Sequence, residues 1–100
     1  MTITVSRSDN ENTVTLNISG SFDFSVHNDF RNAYKDNPPE IKYIINMRNT
    51  KYMDSSALGM LLLLREHAGS GKSTITIEGC QGDIQKVFTI SNFHKLFNIK

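Results

Sequence analysis

Between Pro38-Pro39 and Asp54 lies the run Ile41 to Met47, IKYIINM, in which Tyr43, Ile44 and Ile45 put apolar side chains on both parities of an extended chain. A strand without a polar side is the pattern expected where both faces are covered, so the run predicts the central strand of a sheet with other elements packed over it. The rest of the chain has to be arranged around that strand.

On its N-terminal side, Ile3 and Val5 alternate with Thr2, Thr4 and Ser6, and Val14, Leu16 and Ile18 alternate with Thr13, Thr15 and Asn17. Period two with β-branched residues predicts a hairpin covered on one face, its second strand closed by Gly20. Val26, Phe30, Ala33 and Tyr34 then share one helical stripe, with Ser25 as the expected N-cap and Pro38-Pro39 as the stop. After the central strand, a short connection over 48–53 leads to Asp54 and Ser55. These open a second helix through Ala57, Leu58 and the run Met60 to Leu64, ending near Ala68 with Gly69 as its cap. The Met60 to Leu64 run reads as core, with one or two members exposed near the helix start.

Ser73 to Glu78 alternates again as a strand. Gly82-Asp83 starts a short helix carrying Ile84, Val87 and Phe88, and a last stripe of Phe93, Leu96 and Phe97 docks the C-terminus as a further helix. The order strand, strand, helix, strand, helix, strand, helix, helix is that of a single α/β domain, a small mixed sheet packed with about four helices. Its strand-helix-strand units should be right-handed crossovers between parallel neighbours.

A chain of 100 residues with 38% hydrophobic content is long enough for one core and too short for two. Its net charge of +1 comes from interleaved signs. That provides no electrostatic footprint for nucleic acid or for an anionic membrane. The longest apolar run, Met60 to Leu64, is far short of a membrane span. Cys80 is the one cysteine and cannot close an internal disulfide, and the start MTITVSRSDN lacks the basic and apolar regions of a signal peptide. A reducing cytoplasm is the expected setting. His27, His67 and His94 lack the spacing of a metal site, so no metal or cofactor is expected.

Gly69 to Thr74, GSGKST, imitates the tail of a nucleotide phosphate loop. The first glycine of that motif falls on Glu66, and the context is inverted, a helix preceding and a strand following. The phosphate-facing amides of such a loop belong to the start of a helix, so the segment reads as a helix-to-strand turn.

Asp54, Ser55 and Ser56 place a carboxylate and two hydroxyls at the start of an apolar helix, just beyond the central strand. Ligands in α/β folds gather at that end of the strands. From the residues alone the turn is either a helix cap or a phosphate-accepting site. A phosphoserine at Ser55 would add about two negative charges beside Asp54 and repel an acidic or apolar partner surface. The free N–H groups and dipole of the helix start would be available to that phosphate.

The run YMDSSALGMLLLLRE, Tyr52 to Glu66, resembles the signature of the STAS domain of anti-sigma-factor antagonists, in which a D-S-[ST]-G-L-G turn enters a helix. Gly20-Ser21-Phe22-Asp23 resembles that family's earlier G-x-[LIF]-D turn, and Val87 to Phe93 its C-terminal pattern. The resemblance spans nearly the whole chain and implies a STAS domain over residues 1–100. It implies a non-enzymatic phospho-switch with Ser55 as the acceptor and Asp23, Asp54, Ser56 and Ala57 on the partner-binding surface. The implied partners are a serine kinase of the histidine-kinase-like ATPase fold, which is also the anti-sigma factor, and a PP2C-type phosphatase. Ala57 departs from the family's usual glycine and should stiffen the turn. The alternative is a STAS regulatory or ligand-binding subunit of a larger complex that works without phosphorylation.

Overall fold

In the computed structural model the period-two segments become one five-stranded sheet in the order β1-β2-β3-β4-β5. The structure describes residues 3–8, 12–38, 41–69 and 74–100. The strands are β1 (Ile3–Arg7), β2 (Thr13–Phe22), β3 (Lys42–Met53), β4 (Ile75–Glu78) and β5 (Asn98–Ile99). The helices are α1 (His27–Tyr34), α2 (Ser55–His67) and α3 (Gly82–Ile90), with 3-10 turns at Phe24–Val26 and Phe93–Lys95. β1 and β2 are antiparallel, and β2-β3, β3-β4 and β4-β5 are parallel. Three crossovers that step in one direction across a sheet with one handedness put all their helices on the same face.

Register confirms where that face lies. Val14 and Leu16 of β2 stand opposite Tyr43 and Ile45 of β3, which stand opposite Ile75 and Ile77 of β4. All six are at most 1% exposed. The other parity, Thr15, Ile44 and Thr76 in one row and Asn17, Asn46 and Glu78 in the next, is half-buried. β3 is therefore central, as its apolar run predicts, but covered on one face. Ile44 makes the run look two-sided, yet it lies on the open face between two threonines.

Two further expectations change. The C-terminal aromatic stripe forms a single 3-10 turn, so the described residues hold three α-helices rather than about four. Phe88, Phe93 and Phe97 stack at 5.6 and 5.3 Å and lead the chain into β5, whose two residues pair with β4. β3 also runs on to Met53, through the residues expected to form a connection. It does so by taking two extra residues relative to β2, one between Asn46 and Asn49 and one between Thr50 and Tyr52. Such bulges bend and twist a strand and reset its parity. Thr50, fully buried between them, donates its hydroxyl to the Ile18 carbonyl at 2.8 Å and ties the bulged segment to β2.

α2 follows its sequence closely, with Ala57, Met60, Leu61, Leu64 and Ala68 buried at helical spacing. It ends at Gly69, whose φ of +90° is the left-handed conformation that glycine adopts without cost. Of the GSGKST segment, residues 70–73 lie outside the described residues, as does Ser73 of the expected strand.

Cys80 sits half-buried against the core, and burial pushes its thiol up from an ordinary 9.0 to about 11. The unfolded thiol ionises near 9.0 while the folded one keeps its proton, so stability is full below that pH and falls as pH rises towards 11. Burial raises Tyr34 and Tyr43 in the same sense. Thermal unfolding followed across that window should show a declining midpoint, with a smaller decline in Cys80→Ala. An identical profile in the variant would show that the thiol takes no part.

Candidate functional site

Neighbouring parallel strands β2 and β3 finish level with each other, Phe22 opposite Met53, and each then delivers an aspartate. Asp54 N–H donates to the Phe22 carbonyl at 3.3 Å, the last rung between them. The two bulges in β3 set this alignment, because they absorb the surplus residues before Asp54 is reached.

Both aspartates then make the same local structure. Asp23 Oδ1 accepts from the backbone N–H of Ser25 at 3.0 Å and from the Ser25 hydroxyl, capping the 3-10 turn that precedes α1. Asp54 Oδ1 accepts from Ser56 N–H at 3.0 Å, Ala57 N–H at 3.3 Å and the Ser56 hydroxyl, capping α2. The cap of the first helical segment is thus Asp23 rather than Ser25, which lies inside the turn it was expected to start. A carboxylate accepts several donors at once, so it wins the cap over a neighbouring hydroxyl.

The expected site residues separate by exposure. Ser55 is exposed at the first position of α2, and its hydroxyl makes no hydrogen bond among the described residues. Ser56 is half-buried and spends its hydroxyl on Asp54. Ala57 is fully buried, so its methyl packs into the core and adds nothing to the outer surface. The amides of Ser56 and Ala57, expected to be open to a phosphate, are already taken by Asp54.

Two aromatic side chains flank this turn in solvent. Phe24, 67% exposed, follows Asp23 and stacks on His27 at 5.1 Å; Tyr52, 56% exposed, precedes Met53 and lies opposite Ser21. Sequence reading missed both as surface groups. Phe24 shares the parity of buried Phe22 and reads as core until Asp23 is seen to end the strand. Farther along α2, Leu62 and Leu63 are the exposed members of the apolar run, two turns from Ser55 rather than beside it. Gly59 lies one turn from Ser55, exposed on the same side of the helix.

Asp54→Ala removes the acceptor of three hydrogen bonds at the start of α2. It should cost about 1–2 kcal/mol in denaturant unfolding, whereas Asp54→Asn, itself a good cap, should recover most of that. Equal loss in both variants would mean that the charge matters and the cap does not.

Parallel strands β2 and β3 thus each end in an aspartate-capped turn, and the second of these turns exposes a seryl hydroxyl at the start of α2. Residues 5–98 match the family described as Mlab, STAS domain, and the chain belongs to that family. It is 45% identical over 100 residues to a STAS-domain containing protein of Pseudomonas aeruginosa (strain UCBPP-PA14), covering 99% of each chain. Its fold is similar to that of an anti-sigma factor antagonist from Mycobacterium paratuberculosis, with a TM-score of 0.73 and 19% identity over 97% of this chain and 84% of that one. It is also similar to the anti-sigma factor antagonist SpoIIAA of Bacillus in two forms. The unphosphorylated form gives a TM-score of 0.69 and 18% identity over 88% of this chain and 82% of that one. The phosphorylated form gives 0.67 and 16% over 98% and 90%. Among the described residues no helix is long and apolar enough to cross a membrane.

Proposed function

We propose that this chain, as one STAS domain over residues 1–100, is a cytoplasmic phospho-switch of the anti-sigma-factor-antagonist type. Unmodified, it captures a serine kinase of the histidine-kinase-like ATPase fold, or an equivalent regulator; phosphorylated at Ser55, it releases it. A PP2C-type phosphatase restores the binding form. The chain supplies the acceptor and the docking surface, and the chemistry belongs to its partners.

The observation that carries this reading is the division of labour in the turn. Ser55 presents a free, exposed hydroxyl, while its neighbour's hydroxyl and the amides of Ser56 and Ala57 are committed to Asp54. A kinase can reach the first serine without unmaking the cap. The phosphate, finding those amides occupied, stays on the outer surface beside Asp54, where it acts on the partner rather than on the fold. Asp23, Ser56 and the exposed aromatics Phe24 and Tyr52 belong to the same surface in this reading.

The test is a pull-down from host lysate with Ser55→Ala and Ser55→Asp proteins as parallel baits, each eluate read by mass spectrometry. A kinase-fold protein retained by the first and not by the second supports the switch and names the partner. The same proteins on both baits would favour a regulatory subunit that works without phosphorylation.

A further inference from the structure

At the far end of α2 from Ser55, a cavity of about 380 Å³ opens between α1 and α2, walled by Arg31, Tyr34, Lys35, Leu63, Glu66 and His67. Tyr34 is only 6% exposed, its ring packed against Phe30 at 5.7 Å, His67 at 5.2 Å and Tyr43 at 6.5 Å. A phenol buried to that degree normally finds a hydrogen-bond partner. Neighbouring Tyr43 does, accepting from Asn37 Nδ2 at 3.1 Å. The Tyr34 hydroxyl has none among the described residues. No side-chain polar atom wholly sealed from solvent goes unpaired among the described residues, so the Tyr34 oxygen keeps contact with solvent, and Tyr34 is one of the residues that wall the cavity.

The charges around it are also uncommitted. Arg31, in the last turn of α1, and Lys35, just past its end, stand one turn apart, an arrangement that repels slightly. Neither forms an ion pair among the described residues, although Glu66 lines the same cavity. The Arg31 charge is near enough to the phenol to oppose the effect of burial on it. His67, by contrast, is engaged: its Nε2 lies 2.8 Å from the Asn37 carbonyl, which can only accept, so Nε2 carries the proton. Cations in the last turn of α1 also answer the helix dipole. That accounts for Arg31 but leaves the Tyr34 hydroxyl and the separate Glu66 carboxylate without a role.

We propose that this cavity is a binding site for a small organic acid that carries a hydroxyl or amino group beside its acid function. Arg31, Lys35 and the Tyr34 hydroxyl take the acid oxygens, Leu63 covers the carbon body, and Glu66 accepts from the adjacent donor. A cluster of three donors and one carboxylate selects such a ligand over a bare anion, because Glu66 repels an anion that brings it no proton to share.

The proposal is independent of the switch at Ser55 and is tested on the intact chain. Malate and glutamate serve as probes, with acetate and sulfate as controls, in titrations followed by amide NMR shifts. At least one probe should give saturable shifts in the millimolar range confined to the cavity walls, and the controls should bind more weakly. Arg31→Gln should weaken that probe about tenfold. Tyr34→Phe should weaken it about three- to tenfold without lowering the unfolding midpoint, because the hydroxyl has no bond in the protein to lose. No saturable shift with any probe, controls that bind as tightly, or shifts undiminished in Arg31→Gln would each overturn the proposal. A Tyr34→Phe protein that loses stability and binds as before would make the hydroxyl structural and overturn it too.

Discussion

Ser55→Asp should bind the captured partner about tenfold more weakly than Ser55→Ala, and the enzymatically phosphorylated protein about a hundredfold more weakly than the unmodified one. The difference between the two follows from charge and reach: aspartate adds one negative charge close to the backbone, a phosphate nearly two and farther out. Opposing a like charge or an apolar patch across an interface costs several kcal/mol, enough for the larger effect. Phosphate at a helix start is ordinarily stabilised by free amides. Here Asp54 holds those of Ser56 and Ala57, which leaves the phosphate only the amide of Ser55 itself at the start of α2. Calorimetric titration of the partner into each form measures the affinities. Amide NMR of the phosphorylated chain should show shifts limited to the start of α2. Equal affinities would remove the switch, and broad shifts through α2 would show instead that the phosphate displaces Asp54 and works by rearranging the helix.

Much of this molecule is written in hydrophobic period. The stripe Ala57, Met60, Leu61, Leu64 and Ala68 predicts the inner face of α2 and its stop at Gly69, because a helix buried on one side has little freedom in where it puts its polar residues. The parity of Val14, Leu16 and Ile18 predicts the covered face of β2 for the same reason. What period cannot show is a change of period. The two bulges in β3 shift its parity twice, so Asn49 to Met53 look like a loop while pairing with β2. Ile44 shows the opposite failure, an apolar residue whose half-buried place between Thr15 and Thr76 depends on which strands flank it. The turn from Asp54 to Ala57 is legible as a motif, but its inner wiring is not. Whether Ser55 or Ser56 keeps a free hydroxyl depends on which of them reaches back to the cap. Phe24, Tyr52 and the cavity beside Tyr34 come from segments far apart in the chain, brought together by the sheet order, and no local pattern announces them.

Gly59→Ala should raise stability and lower partner affinity, two effects of opposite sign from one methyl group. Glycine inside a helix costs about 1 kcal/mol relative to alanine. Proteins commonly bear that cost where the backbone needs a positive φ or a neighbour leaves no room for a side chain. Neither applies here: Gly59 is not among the positive-φ glycines, and a Cβ built on it meets nothing within 4 Å. On the reading proposed for the switch, the reason for the glycine lies in the docked partner. It is exposed one turn from Ser55, and the signature this chain resembles carries two glycines in the same turn. The first is replaced by Ala57, whose methyl the core accommodates, and the second is kept where it faces solvent. A partner that docks on the switch and packs closely on α2 at that point would meet the new methyl as overpacking, which costs about 1–3 kcal/mol in a tight contact, or roughly ten- to a hundredfold in affinity. The expected result is an unfolding midpoint several degrees higher, about 4–8 °C for 1 kcal/mol in a domain of this size, together with weaker binding in the unphosphorylated state. Higher stability with unchanged binding would place the partner's contact elsewhere on the domain and leave the Ser55 experiment to be judged on its own. Lower stability would mean that the helix is strained at Gly59 in a way its open surroundings do not show.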